Sequence, residues 1–169
     1  ALGKVDAVVT DPPYGIDRAN GANGGGVCGK TGKPRSPKRY SGNWDYSAAN
    51  VAHIPTFADK AIIWGGQYFT DQLPVSKGWL VWDKQQTMPT YGDGELAWTN
   101  LDSTTLRKFT YSLNAMISRK ETGQHPTQKP VALMQWCLGF LPNAETILDP
   151  FMGSGTTLVA CAKLGRKGI

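Results

Sequence analysis

One short stretch, Asp11-Pro12-Pro13-Tyr14-Gly15, constrains this chain more than any other. It follows Val5-Asp6-Ala7-Val8-Val9-Thr10, whose apolar, valine-rich pattern reads as a buried strand stopped by the two prolines. Proline fixes φ and carries no N–H, so the turn is stiff, and its carbonyls are available as acceptors. Open α/β sheets bind ligands beyond the carboxyl ends of their strands. The turn therefore offers a carboxylate, a proline carbonyl and an aromatic face together. That set suits an amino group on a flat ring, with two acceptors for its hydrogens and a surface for stacking.

The rest of the chain alternates strands and helices. Residues 16–49 are rich in Gly, Asn, Ser and Pro and show no hydrophobic period. Residues 47–60 read as a helix broken at Pro55, residues 61–64 as a strand, and Gln67–Leu73 as a helical turn stopped by Pro74. Residues 78–83 and 95–99 read as strands, and 105–117 as extended. A buried helix is expected over 130–141, with proline in its first turn and apolar residues nearly all round. Residues 146–149 form a strand ending in Asp149, and a helix over 156–164 is closed by Gly165. This alternation argues for an α/β fold with a largely parallel sheet.

The second informative stretch is Asp149-Pro150-Phe151-Met152-Gly153-Ser154-Gly155-Thr156-Thr157, a strand end, a glycine turn and a helix start. Its glycines let a ligand approach the backbone, and the helix start offers unsatisfied N–H groups to a negative group. No lysine follows the second glycine, so it is not a phosphate-gripping Walker loop. Leu158 stands where a dinucleotide fingerprint needs its third glycine. The turn fits a ligand that bears a carboxylate and a nucleoside.

Charge placement matters more than the net +5. Arg18 to Trp44 holds six basic residues and no acid, so this one loop carries the whole excess and points to a polyanion. Lys30, Lys33, Arg35, Lys38 and Arg39 are the expected DNA contacts. Cys28, Cys137 and Cys161 fit neither a disulfide framework nor, with His53 and His125, a metal spacing. Reduced thiols and a cytoplasmic protein without a metal are expected. No apolar run reaches about 18 residues and no secretion leader is visible, so no membrane partner is expected.

Together, Asp11-Pro12-Pro13-Tyr14, His125-Pro126-Thr127-Gln128-Lys129-Pro130 and the Asp149–Thr157 stretch resemble the amino-group DNA methyltransferases. That family uses S-adenosylmethionine to methylate adenine N6 or cytosine N4. The order, catalytic turn first and cofactor turn last, is similar to the permuted beta group. The resemblance implies a Rossmann-like methyltransferase fold in a single catalytic domain over 1–169. Its sheet is mostly parallel, with helices on both faces and one antiparallel strand. The family's first, fourth, fifth, sixth and seventh strands would be 146–149, 5–10, 61–64, 78–83 and 95–99, in spatial order 1-4-5-7-6. Strands 2 and 3 would be absent, because the chain stops where the second begins, which suggests a fragment.

The resemblance also implies roles. Asp11 and the Pro12 carbonyl would accept the hydrogens of the target amine, with Pro13 stiffening the turn and Tyr14 stacking on a flipped base. Asp11, His125, Thr127, Lys129, Asp149, Phe151, Gly153, Ser154, Gly155 and Thr156 would hold the cofactor. Asp at the first motif position goes mostly with adenine in the family, and Ser mostly with cytosine. The implied partner is double-stranded DNA, contacted by the 16–49 loop, with a homodimer as the assembly. Three alternatives stay open: N4-cytosine methylation, an RNA or protein-glutamine methyltransferase, and a DNA-binding fragment without a complete cofactor site.

Overall fold

The computed structural model describes residues 4–16, 47–86, 92–102, 105–112, 116 and 128–169. The chain divides into two units: Ala1–Pro12 with Asn50–Ile169, and Pro13–Ala49. The larger unit carries a seven-stranded sheet: β1 (Ala7–Thr10), β2 (Lys60–Trp64), β3 (Trp79–Asp83), β4 (Gly94–Thr99), β5 (Arg107–Thr110), β6 (Thr146–Leu148) and β7 (Lys167–Gly168). Its order is β5-β3-β4-β2-β1-β6-β7. β4 is antiparallel to both β2 and β3, and every other pairing is parallel. In the family's strand numbers, the five expected strands lie in the order 1-4-5-7-6.

The outer strands refine that expectation. The stretch 105–117, read from sequence as extended, holds the edge strand β5 beside β3, but Met116 within it is helical, its N–H bonded to the Ser112 carbonyl at 3.1 Å. β7 pairs with β6 and is where the family's second strand would start, so that position is begun within the chain.

Burial explains the strand sequences. Ala7, Val8 and Val9 of β1 and Ile62, Ile63 and Trp64 of β2 are all buried, as a parallel strand covered on both faces requires. On one face Ala7, Val9, Ile62, Trp64, Leu80, Trp82, Ala97 and Ile147 pack against helices α1 (Val131–Gly139) and α2 (Thr156–Lys163). Leu133, Met134, Cys137 and Leu138 supply the α1 side of this core, and Ala160 and Cys161 the α2 side. Trp136 of α1 stacks near Phe109 of β5, with ring centroids 5.3 Å apart, and so ties the edge strand to the helix. Arg166 donates to the carbonyls of Leu138, at the end of α1, and Leu141, just beyond it.

The opposite face is covered differently from the sequence expectation. The helix read over 47–60 is a single 3-10 turn, Ile54–Thr56, and a second 3-10 turn spans Gly66–Tyr68. Pro55 lies inside the first turn, and no side chain caps it, so nothing in the local sequence extends it into a helix. Ile54 and Phe69 are nonetheless fully buried. Gly66 lies so close to β4 that a Cβ there would meet Trp98 Cβ at 2.5 Å.

Candidate active site

The functional groups gather at one end of the sheet. Parallel strands β1, β2 and β6 deliver their carboxyl ends there, and the reversed β4 delivers its beginning, with Glu95 opposite Trp82. Asp11 follows β1, and Asp149 follows β6, the neighbouring parallel strand. The two strand ends are tied directly. Thr10, fully buried, donates from Oγ1 to Asp149 Oδ1 at 2.6 Å, and the same oxygen accepts the Phe151 N–H at 3.2 Å.

Asp149 is thus the post on which the glycine turn hangs. Burial raises its carboxyl pKa above the ordinary range, and the nearby Asp11 charge pushes the same way. Hydrogen bonds from Thr10, Thr157 and the Phe151 N–H oppose the rise without cancelling it. Beyond it, Gly153 (φ +49°) and Gly155 (φ +75°) adopt left-handed backbone that other residues disfavour. A Cβ at Gly153 would meet only the Phe151 carbonyl, at 3.9 Å, and one at Gly155 would meet nothing within 4 Å. The turn therefore needs glycine for its backbone, not for its packing, and leaves open space beside it. Gly155 precedes the first turn of α2 with no side-chain cap, so the N–H groups of that turn are not claimed by Gly155. Ser154 and Thr156 hydroxyls lie 3.1 Å apart across the same start.

Asp11 has a partner that its neighbours in the chain do not reveal. The Lys129 ammonium, on a side chain only 3% exposed, lies 2.6 Å from Asp11 Oδ2 and 2.9 Å from Glu95 Oε2. Glu95 Oε1 in turn lies 2.5 Å from Lys84 Nζ, on a side chain 7% exposed. The result is an alternating row, Asp11, Lys129, Glu95, Lys84, with two aromatic floors. Lys129 sits 5.7 Å from the Trp64 ring centroid, and Lys84 5.0 Å from that of Trp82. Burial disfavours the charged form of Glu95, but Lys129 and Lys84 outweigh it and hold its carboxyl down to about 2. Burial pushes the nearby Cys137 thiol up to about 12, so that cysteine is no nucleophile at neutral pH.

In the smaller unit, Tyr14 forms an antiparallel bridge with Ala48, and the Pro13 carbonyl accepts the Ala49 N–H at 3.0 Å. Of the two proline carbonyls that the sequence offered as acceptors, Pro13's is thus committed to the backbone. Gly15 (φ +72°) is obligatory, since a Cβ there would fall 2.3 Å from Ala48 N.

Among the expected site residues, the structure brings Asp11, Lys129 and Asp149 to one end of the sheet, with Phe151, Gly153, Ser154, Gly155 and Thr156 following Asp149. His125 and Thr127 lie outside the described residues, as do Lys30, Lys33, Arg35, Lys38 and Arg39. Sequence reasoning missed Thr10, Lys84 and Glu95. A signal existed for Glu95: it shares strand parity with the buried Ala97, so an acid there faces the core side. Among the described residues no cluster of His, Cys, Asp and Glu could hold a metal ion, and no helix is long and apolar enough to cross a membrane.

Comparison with known proteins agrees with this geometry. The sequence model of the DNA methylase family of N6 and N4 methyltransferases matches residues 81–169. The Type II methyltransferase M2.MboI of Moraxella bovis is 36% identical over 106 residues, covering 61% of this chain and 37% of the relative. M2.LlaDCHI of Lactococcus lactis subsp. cremoris is 49% identical over 53 residues, 31% of this chain and 20% of its own length. Each match thus spans well under half of the curated relative. The crystal structure of the M1.HpyAVI–SAM complex superposes with a TM-score of 0.55 at 25% identity, covering 99% of this chain and 81% of that one.

Proposed function

The chain belongs to the DNA methylase family, and from that premise we propose that it methylates the N6 amine of adenine in double-stranded DNA with S-adenosylmethionine. The observation that carries this reading is the pairing of Asp11 and the glycine turn at the ends of two adjacent parallel strands, joined by the Thr10–Asp149 hydrogen bond. An amine acceptor and a cofactor turn must stand side by side for methyl transfer.

The residues present fit the cofactor. The open space beside Gly153 and Gly155 would admit its methionine part, and the start of α2 offers N–H groups to a carboxylate. Phe151, Ser154 and Thr156 would line that side, with His125 and Thr127 from the other motif. When bound, the cofactor supplies an electrophilic methyl group on a sulfonium.

The chain's own residues prepare the amine. The lone pair of the adenine N6 is shared with its ring, so the nitrogen is a weak nucleophile. Asp11 and the Pro12 carbonyl accept its two hydrogens, which favours a more pyramidal nitrogen with an available lone pair. Orientation of this kind is the main source of rate. Tyr14 stacks on the base, and the target leaves the duplex to reach the site. Lys30, Lys33, Arg35, Lys38 and Arg39 contact the phosphate backbone and give binding a steep salt dependence.

The test is to incubate the protein with DNA and cofactor carrying a labelled methyl group, then digest the DNA to nucleosides. Label in N6-methyladenine is the expected result. Label in N4-methylcytosine would overturn the adenine assignment and keep the amine chemistry. No label in DNA, with cofactor binding shown by calorimetry, would overturn the substrate.

A further inference from the structure

Charges taken out of water are costly, and the row Asp11, Lys129, Glu95, Lys84 sets two buried ammoniums against two half-buried carboxylates at the working end of the sheet. Well-packed apolar residues could replace such a row with little loss of stability, or even a gain, so stability alone does not account for it. The row is also not diffuse. Each oxygen of Glu95 lies within ion-pair distance of one ammonium, and the Lys129 ammonium lies within that distance of two carboxylates.

The supports of Lys129 come from elements tied into the sheet and its core. Lys129 immediately precedes Pro130, the residue that opens α1, and α1 is locked into the core through Leu133, Met134, Cys137 and Leu138. Glu95 stands on β4, hydrogen-bonded into the sheet on both sides. Lys84 continues β3, its backbone N–H bonded to the Asp93 carbonyl at 2.9 Å. Three separate segments thus converge to fix the position of one ammonium, and that ammonium grips Oδ2 of the acid that ends β1.

We propose that Lys129 is a positioning residue for methyl transfer: held by Glu95, and through it by Lys84, it fixes the plane and position of the Asp11 carboxylate that receives the amine. This rests on the amine-methylation reading and deepens it. It also gives Lys129 a role distinct from the cofactor contact that the sequence implied. A rigid acceptor matters because a small misplacement of a reacting group costs far more rate than binding. Lys129 touches neither base nor cofactor in this account; it acts through Asp11.

Four proteins test it: wild type, Lys129→Met, Lys129→Arg, and the double variant Lys129→Met with Glu95→Gln. The double variant removes one charge of each sign, so the net charge of the row is kept, and only a variant that melts as a folded protein is carried into the kinetics. Melting curves establish folding, calorimetry gives the Kd for S-adenosylmethionine, and steady-state kinetics at saturating cofactor gives kcat and KM. In the folded double variant kcat should fall by at least about tenfold, with the cofactor Kd within about threefold of wild type, the pattern of a lost transition-state arrangement. Lys129→Arg should recover part of the loss, because it restores the charge on a different fork. A kcat within about threefold of wild type in the double variant overturns the proposal. So does a Kd raised more than about tenfold with kcat kept, which would make Lys129 a cofactor contact.

A measurement without turnover separates this from the functional reading. A buried, paired ammonium exchanges its protons slowly and gives its own resonance in nitrogen-15 spectra of the protein alone. Asp11→Asn should shift the Lys129 signal strongly. An unmoved signal overturns the pairing whether or not the protein methylates DNA, whereas a wild type that transfers no methyl group defeats the functional reading on its own.

Discussion

The ends of β1 and β6 lie side by side, yet they are built by opposite means. The β6 end is made of backbone. Asp149 holds the Phe151 N–H two residues on, Gly155 N–H returns to the Met152 carbonyl at 2.7 Å, and two left-handed glycines shape the turn. Apart from the Thr10 hydroxyl that meets Asp149, its parts lie within a few residues of one another. The β1 end is made of charge, and its parts come from far away: Asp11 meets Lys129, 118 residues on, and Lys129 meets Glu95 of β4. The backbone site shapes a space, and the charged site fixes a group. A cofactor turn needs the first property and an acceptor the second.

The largest expected effect breaks the charged end. Asp11→Ala should lower methyl transfer by more than about a hundredfold, the cost of losing a transition-state hydrogen bond to a well-placed group. The fold should survive, because Lys129 keeps its pairing with Glu95. Single-turnover kinetics with saturating cofactor, beside a melting curve, decides it. A variant that retains more than about a hundredth of the wild-type rate would show that the acceptor is another group.

The same contrast explains what could be read from the sequence. The glycine turn was legible because its causes are local: positive-φ glycines, a strand before and a helix after. The five core strands and both helices were legible because valine-rich and apolar patterns have one cheap solution, burial between layers. Of the row behind Asp11, only the inward parity of Glu95 was legible, and its pairing was not. Lysine and glutamate on a strand pattern ordinarily mark solvent, and only the chain reversal of β4 brings Glu95 to the same end as Asp11. The 3-10 cover over 54–56 was missed for a similar reason: an apolar segment with a proline can bury Ile54 without being an α-helix.

The next effect is a difference in how the two ends respond to pH. Glu95 sits below its ordinary value of 4.5, at about 2, so its ionised form stabilises the fold. That contribution is present above about 4.5 and is lost as pH falls toward about 2, and its full size is on the order of 3 kcal/mol. Glu95→Gln should therefore cost stability at neutral pH, with the difference from wild type shrinking in acid. Asp149 has the opposite sign. Its carboxyl is raised, so it favours the fold while protonated and loses that contribution as pH rises through its folded value. Asp149→Asn should flatten this second slope. Denaturant unfolding of the three proteins across acid and neutral pH measures both, and parallel slopes for the two variants would erase the distinction between the sites.

A smaller effect tests whether the glycine turn at the β6 end is shaped by its backbone. Gly155→Ala meets no atom within 4 Å, so any loss comes from forcing alanine to φ +75°. That costs about 1–2 kcal/mol. The expected outcome is a modest drop in melting temperature and a cofactor Kd raised by up to about thirtyfold, the free energy converted at about 1.4 kcal/mol per tenfold. Transfer at saturating cofactor should be kept. A fall in saturated rate as large as that of Asp11→Ala would show that the turn also orders the acceptor.

The smallest effect concerns the buried hydrogen bond that joins the two ends. Thr10 Oγ1 donates to Asp149 Oδ1 at 2.6 Å in a fully buried setting, and Thr10 is the residue just before Asp11. Thr10→Val keeps the shape and removes the donor. Asp149 retains the Phe151 N–H and Thr157, so the cost falls near the low end for a bond to a charged group, about 1.5 kcal/mol. The sign with pH follows from the chemistry. A hydroxyl donor favours the ionised carboxylate, so its loss raises the Asp149 pKa further, and the variant suffers more at neutral pH than in acid. Thr10→Ser should restore both stability and pH dependence, because the hydroxyl alone makes the bond. If valine and serine behave alike at every pH, Thr10 is only a packing residue, and the two ends are neighbours without being coupled. If valine alone also slows transfer at saturating cofactor, that hydrogen bond carries position from the cofactor turn to the acceptor.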